Sequence, residues 1–296
     1  MEGLNQAIVE NPKQADLYFQ RAQLFLKKNV QSQAFIDLLT ATKLDSNNTQ
    51  YLMVLADVAF KTFQIKKASE TFERVVKIDP QNKEAYQKLA ELYFYIKGYQ
   101  RALLYTNEAL KIDNQLAKAY SLRAFIYKEM GDTAKAVSSF NTVLDLINDD
   151  YDTYIQLGNI YAVRSNSLAL QYYNNALRVY PNSTEALYNR ALYYQNKNEL
   201  EKATTDYLAI IKLDPSYSDA FFNLGYINSV IGKNYKDAIG FYTDAIRTNE
   251  HYVEAYYQRG VCYENLGDKS AAMKDYNAAL GVVPTYKPAL QKLNRK

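Results

Sequence analysis

Several residue types on which catalytic and cross-linked proteins depend are scarce in this chain of 296 residues. It has no tryptophan, one cysteine (Cys262) and one histidine (His251). A single cysteine excludes an intramolecular disulfide, and a single histidine leaves metal binding and histidine-based acid–base chemistry without partners. No glycine-rich phosphate loop, paired-carboxylate set or Ser–His–Asp arrangement stands out. The sequence therefore predicts a protein that is not an enzyme and that has no cofactor and no metal site.

An excess of one charge and long apolar runs are lacking as well. The 35 basic and 32 acidic residues leave a net charge of +3, and no run of five like charges suggests a nucleic-acid partner. No apolar run approaches the roughly 20 residues that a membrane span needs, and no signal peptide is recognisable. We expect a cytoplasmic location, or an exported one if an N-terminal leader has been removed.

What the chain has in abundance is tyrosine, with 29 copies, and the tyrosines recur at a fixed spacing. The pattern is clearest in residues 253–286, where Tyr256, Gly260 and Tyr263 share one face of a helix. Gly267 then predicts a left-handed end to that helix. A second helix follows, and its packed face and its end are marked by Ala272, Tyr276, Ala279 and Pro284. Two such short amphipathic helices need neighbours of the same kind to bury their apolar faces.

Eight such units follow one another along the chain. Their predicted boundaries are 15–48, 49–82, 83–116, 117–150, 151–183, 184–217, 218–252 and 253–286. Relative to the other units, the fifth lacks one residue, which we assign to the turn at 164–167. The seventh has one extra residue, which we assign to the turn at 232–235. Residues 1–14 are predicted to be a partial unit or N-terminal cap, and residues 287–296 begin a C-terminal capping helix.

Two positions in every unit hold only small residues, which predicts that paired helices approach each other closely there. The first position is occupied by Ala22, Ala56, Ala90, Ala124, Gly158, Ala191, Gly225 and Gly260. The second is occupied by Ala34, Ala68, Ala102, Ala136, Ala169, Ala203, Ala238 and Ala272. Most of the aromatic residues lie beside these positions, so they are predicted to form the core.

This arrangement of aromatic, small, aromatic, alanine, aromatic, alanine and proline over 34 residues resembles the tetratricopeptide repeat (TPR) family. The resemblance implies an all-α fold, a right-handed α–α superhelix or solenoid of antiparallel helix pairs, with the first helices lining a concave groove. It departs from the pattern at Asn228, which replaces an aromatic residue. Because an unpaired buried amide is costly, we predict that Asn228 is hydrogen-bonded or loosely packed.

The resemblance also implies a function, binding of a peptide or protein segment in the concave groove. In the N-terminal half, the predicted groove residues are the apolar Phe19, Met53, Val54, Phe60, Phe94, Leu122 and Phe125. An open alternative is that these side chains are buried between neighbouring first helices. In the last unit, we expect specificity to depend on the variable residues Tyr257, Gln258, Val261 and Glu264.

In the C-terminal half, the predicted groove residues are the amides Gln156, Asn159, Asn189, Asn223 and Gln258. They are similar to the asparagine ladder of O-linked N-acetylglucosamine transferases, and amides can bond both groups of an extended peptide backbone. The alternative is that amides at this site are ordinary surface residues.

Chaperone-binding members of the family grip a C-terminal carboxylate with lysine, arginine and asparagine side chains. Here Ile155, Asp219 and Asn223 stand where the cations belong. We therefore expect no binding of the acidic C-termini of heat-shock chaperones. The alternative function is a structural or self-associating repeat protein that uses its convex or terminal surfaces.

Overall fold

The computed structural model describes residues 1–294 and is entirely helical over that range, without strands. The chain divides into two compact units, Met1–Asn148 and Asp149–Lys296, called the N-terminal and C-terminal units below. Each unit is a stack of paired antiparallel helices, in agreement with the predicted all-α solenoid class. One continuous solenoid over residues 1–296 stays a prediction. Arg295 and Lys296, assigned from the sequence to the C-terminal cap, lie outside the described residues.

In the N-terminal unit, a single helix is followed by four helix pairs. The helices are α1 (Glu2–Glu10), α2 (Ala15–Lys27), α3 (Gln31–Leu44), α4 (Thr49–Lys61), α5 (Ile65–Ile78), α6 (Lys83–Tyr95), α7 (Tyr99–Ile112), α8 (Ala117–Glu129) and α9 (Thr133–Leu146).

The C-terminal unit contains four further pairs and a short last helix. The helices are α10 (Tyr151–Val163), α11 (Leu168–Val179), α12 (Thr184–Asn196), α13 (Leu200–Leu213), α14 (Ser218–Tyr226), α15 (Tyr235–Thr248), α16 (Val253–Asn265), α17 (Lys269–Val282) and α18 (Lys287–Leu293). A π-helical turn, Ile227–Ile231, follows α14.

The small residues lie where paired helices touch, as their spacing predicts. All eight residues at each of the two small positions are buried. The approach is closest at Gly158, where an added Cβ would lie 2.5 Å from a ring carbon of Tyr173. No Cβ fits at that distance, so the glycine is what lets the tyrosine ring pack against the first helix.

The turns inside the repeats share one backbone conformation, apart from the turn of the seventh repeat, which is described below. A residue in the left-handed region ends the first helix, which lets the next backbone N–H bond a carbonyl five residues earlier, as from Asp268 to Tyr263 at 2.9 Å. Gly267 has φ +84°, as predicted from its type. Gly131 fills the same position in the fourth repeat with φ +80°. In the other six repeats the left-handed residue carries a side chain, which is bulky at Phe63.

The two length changes are absorbed differently from the prediction. In the seventh repeat the extra residue enters the π-helical turn at the end of the first helix, so the closing bond runs from Asn234 to Asn228, six residues apart. In the fifth repeat the turn keeps its five-residue bond, from Asn166 to Tyr161. The missing residue comes from the second helix, since α11 has 12 residues where α13 has 14.

Candidate functional site

The first-helix surface of the N-terminal unit carries an open depression of about 500 Å³. Its apolar floor comes from three successive repeats, through Phe60 on α4, Phe94 on α6 and Leu122 on α8. These side chains are half-buried and pack against the core of the unit. Their surroundings hold them in place, while a face of each remains open.

The rim of the depression combines aromatic and charged groups. The lining residues, beyond the three on the floor, are Glu91, Tyr95, Lys97, Tyr99 and Glu129. The Tyr95 ring meets Phe60 edge-on, with centroids 5.7 Å apart. The Tyr99 hydroxyl donates to Glu129 at 3.2 Å. The depression therefore offers apolar contact in its centre and both signs of charge at its margin.

The depression lies at the repeat that departs most from the aromatic pattern. Thr106 occupies the second-helix position that is leucine, phenylalanine or tyrosine in the other repeats. It is buried and its hydroxyl donates to the Ala102 carbonyl at 2.7 Å. Because threonine is smaller than an aromatic ring, a narrow cleft remains between it, Glu91 and Leu122. The sequence departure and the depression therefore coincide.

The other apolar residues predicted for the groove do not contribute to this depression. Phe19 is 4% exposed and packs on Tyr51 with ring centroids 4.6 Å apart, so its prediction as an open groove residue is wrong. Met53 and Val54 are half-buried against the neighbouring core residues. Phe125 is half-buried and meets Phe140 edge-on at 5.3 Å. Packing between helices therefore removes Phe19 from the surface, whereas Met53, Val54 and Phe125 stay partly exposed outside the depression.

The predicted amides also divide into two groups. Asn159 accepts the Tyr173 hydroxyl at 2.8 Å. Asn223 is buried, donating to the Asp219 carbonyl at 2.8 Å, so its prediction as an open amide is wrong. Gln156, Asn189 and Gln258 remain half-exposed. Among the described residues, neither Asn189 nor Gln258 has a side-chain hydrogen-bond partner.

In the C-terminal unit, Tyr257, which the sequence assigned to specificity, and the equivalent first-helix rings lie in aromatic clusters. The repeated arrangement places one first-helix ring between a second-helix tyrosine and a tyrosine of the next turn. Tyr257, for example, lies 5.7 Å from Tyr276 and 5.8 Å from Tyr286. The equivalent clusters are Tyr188 with Tyr207 and Tyr217, and Phe222 with Tyr242 and Tyr252. These rings join consecutive repeats.

The buried second-helix tyrosines each find a hydrogen-bond partner on the first helix of their own repeat. Tyr207 donates to Gln195 at 3.0 Å and Tyr276 to Glu264 at 2.7 Å. Tyr242 bonds Ser229 at 2.9 Å. Burial raises the pKa of all three phenols above the ordinary value for tyrosine. Because Glu264 also pairs with Lys292 on α18, at 2.5 Å, it serves the scaffold and its predicted role in specificity is unsupported.

Ion pairs inside three repeats were not foreseen. Arg190 holds Asp206 through two hydrogen bonds of 2.8 and 2.7 Å, and also reaches Asn174 on the preceding helix at 2.6 Å. The same pairing, sixteen residues apart, joins Arg21 to Asp37 and Arg259 to Asp275. The signal is visible in the sequence, as an arginine immediately before the first small residue and an aspartate sixteen positions later.

Two further sequence expectations concern single residues. Asn228 is hydrogen-bonded as predicted, donating to the Leu224 carbonyl at 2.8 Å. Cys262, the single cysteine, is buried, and burial raises the pKa of its thiol to about 11. Such a thiol is a poor nucleophile at neutral pH.

Sequence reasoning missed five residues around the depression. Glu91 lies within α6, and the other four are Tyr95, Lys97, Tyr99 and Glu129. They lie at the ends of first helices, in the intervening turn and at the start of α7, outside the helix faces that the sequence pattern follows. The usable signal was the run of large side chains from Phe94 to Lys97 at the end of α6 and in the turn that follows it. Over residues 1–294, no helix has the length and apolar character needed to cross a membrane.

Comparison with known proteins agrees with this repeat architecture. Models of the Tetratricopeptide repeat family match residues 253–286, 160–218, 49–82 and 117–150, together more than half of the chain. The C-terminal part of a TPR repeat-containing protein from Cytophaga hutchinsonii superposes with a TM-score of 0.71 at 20% identity. That match covers 82% of this chain and 99% of the other. At this identity the likeness concerns the fold.

Two curated relatives are sugar transferases that share only a short stretch with this chain. The probable UDP-N-acetylglucosamine–peptide N-acetylglucosaminyltransferase SPINDLY of Hordeum vulgare is 28% identical over 155 residues, 49% of this chain and 16% of the relative. The UDP-N-acetylglucosamine–peptide N-acetylglucosaminyltransferase of Giardia intestinalis is 30% identical over 95 residues, 32% of this chain and 6% of the relative. The chain thus spans a small fraction of either enzyme. From its eight recurring helix pairs and the matched family models, the chain belongs to the tetratricopeptide repeat family.

Proposed function

We propose that this chain is a protein-interaction scaffold that binds a peptide or protein segment along the first helices of its N-terminal unit. The observation that carries the proposal is the depression over Phe60, Phe94 and Leu122. Three apolar side chains from three consecutive repeats converge there without covering one another completely. Burying exposed apolar surface is favourable in free energy. Because the folded chain leaves this surface open, it favours a ligand that buries it.

The shape and chemistry of the depression favour a segment with one bulky apolar side chain. A volume of about 500 Å³ accommodates an aromatic or long aliphatic anchor with part of the adjoining backbone. Burying such an anchor typically contributes about 1.5–3 kcal/mol, and anchors near the centre of an interface carry most of its binding energy. The charged groups at the rim then fix the direction of the segment.

For the C-terminal unit by itself, we propose a separate and weaker contact with the backbone of a peptide. Asn189 and Gln258 are half-exposed amides to which the described residues provide no hydrogen-bond partner. Each carries a donor and an acceptor, so each is suited to bond an extended backbone. Asn159 and Asn223 are left out, because their amides are engaged within the fold.

Binding of a C-terminal carboxylate and catalysis are not part of the proposal. Ile155, at the position of the first clamp lysine, is 2% exposed, so an apolar side chain packed inside the unit replaces a cation. The transfer reaction in the names of the two curated relatives is not carried over, since the matched stretch is at most 16% of either protein. We therefore expect no affinity for acidic C-terminal peptides of chaperones.

The proposal is tested with a displayed library of random peptides selected on the wild-type chain. We expect the enriched peptides to share a bulky apolar residue and to lose at least about tenfold in affinity, measured by calorimetry, when Phe60 and Phe94 are both replaced by alanine. Leu104→Ala is the matched control, because Leu104 is exposed in the same unit but lies outside the depression. Equal affinity for the double variant and the control would sink the assignment.

A further inference from the structure

The turn between α4 and α5 places Phe63 in a left-handed backbone conformation, which is unfavourable for a bulky side chain. The left-handed position of the eight turns is filled by Asn29, Phe63, Lys97, Gly131, Ser165, Asn198, Lys233 and Gly267. Phe63 has φ +59° and its side chain is 73% exposed. For an L-residue this conformation costs roughly 1–2 kcal/mol, and burial does not offset the cost. Strain combined with exposure at one position points to a contact outside the folded chain.

Phe63 belongs to a group of exposed apolar residues at the turn ends of repeats two to four. We call Phe63, Tyr95, Ile96 and Met130 the turn patch; all four are exposed. The rings of Phe63 and Tyr95 lie 6.5 Å apart, and Tyr95 continues the patch to Phe60. A second open depression borders the patch and includes Ile96 and Met130 in its lining. Exposed apolar residues that touch one another in this way mark interaction surfaces more often than scattered ones do.

The charges at the patch are balanced and available. Lys97 follows Ile96 directly, and Lys97 and Glu129 line the same depression. Within residues 1–294, neither side chain forms a salt bridge with the other or with any other residue. Glu129 only accepts the Tyr99 hydroxyl, at 3.2 Å. A surface with one free cation and one free carboxylate beside an apolar centre is complementary to itself.

We propose that the turn patch is the interface of a two-fold symmetric dimer of this chain. Two-fold symmetry places the same patch on both copies, so every contact between two different residues occurs twice in the interface. The rings of Phe63 and Tyr95 pack against the same rings of the second copy, and Lys97 pairs with Glu129 of the partner subunit. A different partner protein with an excess of one charge would place a like charge opposite either Lys97 or Glu129. Such a partner is therefore disfavoured relative to a second copy of this chain.

The proposed dimer interface shares Tyr95, Lys97 and Glu129 with the rim of the depression over Phe60, Phe94 and Leu122, so the dimer and a peptide would compete for that rim. Phe63, Ile96 and Met130 do not line the depression, so Phe63→Asn tests the dimer and leaves the lining of the peptide site unchanged. The proposed dimer differs from self-association through terminal or convex surfaces, since the patch lies at the turns inside repeats. The site residues and the occupant are therefore separately testable.

The test is sedimentation velocity of the purified chain from about 1 to about 100 µM, a range that brackets dimers of moderate affinity. We expect the wild type to form a dimer and Phe63→Asn to be monomeric over the range. Asparagine occupies the same left-handed position at Asn29 and Asn198, so this variant should also melt at a higher temperature than the wild type. If Phe63 had only a structural role, Phe63→Asn would not abolish the dimer and raise the melting temperature at the same time.

A charge exchange tests the predicted ion pair. Lys97→Glu should weaken the dimer at least about tenfold, and the double variant Lys97→Glu with Glu129→Lys should restore it. Ile36→Asn, at an exposed apolar residue outside the patch, is the control that should keep the wild-type dimer. A wild-type chain that stays monomeric at about 100 µM, a dimer that survives Phe63→Asn, or a charge exchange without rescue would each overturn the proposal.

Discussion

The two compact units share one repeat but fill the space between paired helices with different chemistry. The second-helix core residue is Leu38, Phe72, Thr106 or Phe140 in the N-terminal unit and a tyrosine in every repeat of the C-terminal unit. A buried hydroxyl needs a partner, and each tyrosine has one, such as Gln195 for Tyr207. At the position of Gln195 the N-terminal unit has Leu26, Phe60, Phe94 and Lys128, and the apolar faces of Phe60 and Phe94 open into the depression. In the second and third repeats, core chemistry and surface chemistry therefore change together.

The comparison suggests that the two units have different roles. Where the tyrosine hydroxyls form hydrogen bonds with polar first-helix residues, those residues are less available to bind a ligand. Where the core residue is Phe72 or Thr106, the equivalent first-helix side chains, Phe60 and Phe94, are apolar and partly open. We infer that the N-terminal unit offers the stronger anchoring surface and that the C-terminal unit is stiffened by its polar cross-links.

The largest expected effect comes from breaking a buried ion pair. In the C-terminal unit Asp206 is 4% exposed and is held by two bonds from Arg190. In the N-terminal unit Arg123 makes one bond of 3.2 Å to Ser139 at the equivalent place. Arg190→Ala strands a buried carboxylate and should cost about 3–5 kcal/mol of the free energy of unfolding. Arg123→Ala leaves only a hydroxyl and should cost about 1 kcal/mol.

The control for this prediction comes from the seventh repeat, which has Leu224 and Phe241 where the sixth has Arg190 and Asp206. Replacing both members of the pair by leucine and phenylalanine should therefore recover most of the loss, since an apolar pair carries no stranded charge. Urea denaturation followed by circular dichroism measures all three variants. Equal costs for Arg190→Ala and Arg123→Ala would contradict the idea that the sixth and fourth repeats differ in this buried polar link; the N-terminal unit has the ion pair in its first repeat, between Arg21 and Asp37.

A smaller effect should follow from exchanging the core residues between the units. Phe72→Tyr brings a hydroxyl into a core where the residue twelve positions earlier is Phe60, which accepts no hydrogen bond. An unsatisfied buried hydroxyl costs about 1–3 kcal/mol. Tyr207→Phe removes the hydroxyl but leaves Gln195 half-exposed to water, so about 0.5–1.5 kcal/mol is expected.

The same urea experiment measures both exchanges, and one rescue sharpens them. Adding Phe60→Gln to Phe72→Tyr supplies the partner that Tyr207 has in Gln195, and should recover part of the loss. If Phe72→Tyr proves neutral on its own, the coupling between core and surface chemistry is not required by the fold.

The periodic pattern predicted the helix pairs and their small residues because close packing inside a repeat depends on spacing alone. Gly158 against Tyr173 is such a contact. Contacts between consecutive repeats were not predictable in the same way. Whether Phe19 is open or stacked on Tyr51 depends on the angle at which one pair rests on the next, and the spacing within a repeat does not contain that angle.

For the candidate site, sequence reasoning found the floor and missed the rim. Phe60, Phe94 and Leu122 lie on helix faces that the repeat defines, whereas Lys97 and Tyr99 lie in or just after a turn whose side chains the repeat leaves free. The π-helical turn after α14 was missed for a related reason, since an inserted residue is absorbed wherever the backbone is least constrained by packing.

The smallest expected effect tests the pairing of glycine with tyrosine, which occurs in three of the four repeats of the C-terminal unit, whereas the sixth repeat pairs Ala191 with Tyr207. A Cβ added at Gly225 would lie 2.7 Å from a ring carbon of Tyr242, which is fully buried. Gly225→Ala therefore combines an overpacking cost of about 1–3 kcal/mol with a gain of about 1 kcal/mol in helix propensity, for a net loss near 1 kcal/mol. Gly240→Ala, on an open face of α15, gains the propensity without the clash and should stabilise the chain. Adding Tyr242→Leu to Gly225→Ala reproduces Ala22 with Leu38 of the first repeat and should relieve the overlap, at the cost of the lost ring. If Gly225→Ala stabilised the chain as much as Gly240→Ala, the glycine would be incidental, and ring size in the second helix would not set the residue opposite it.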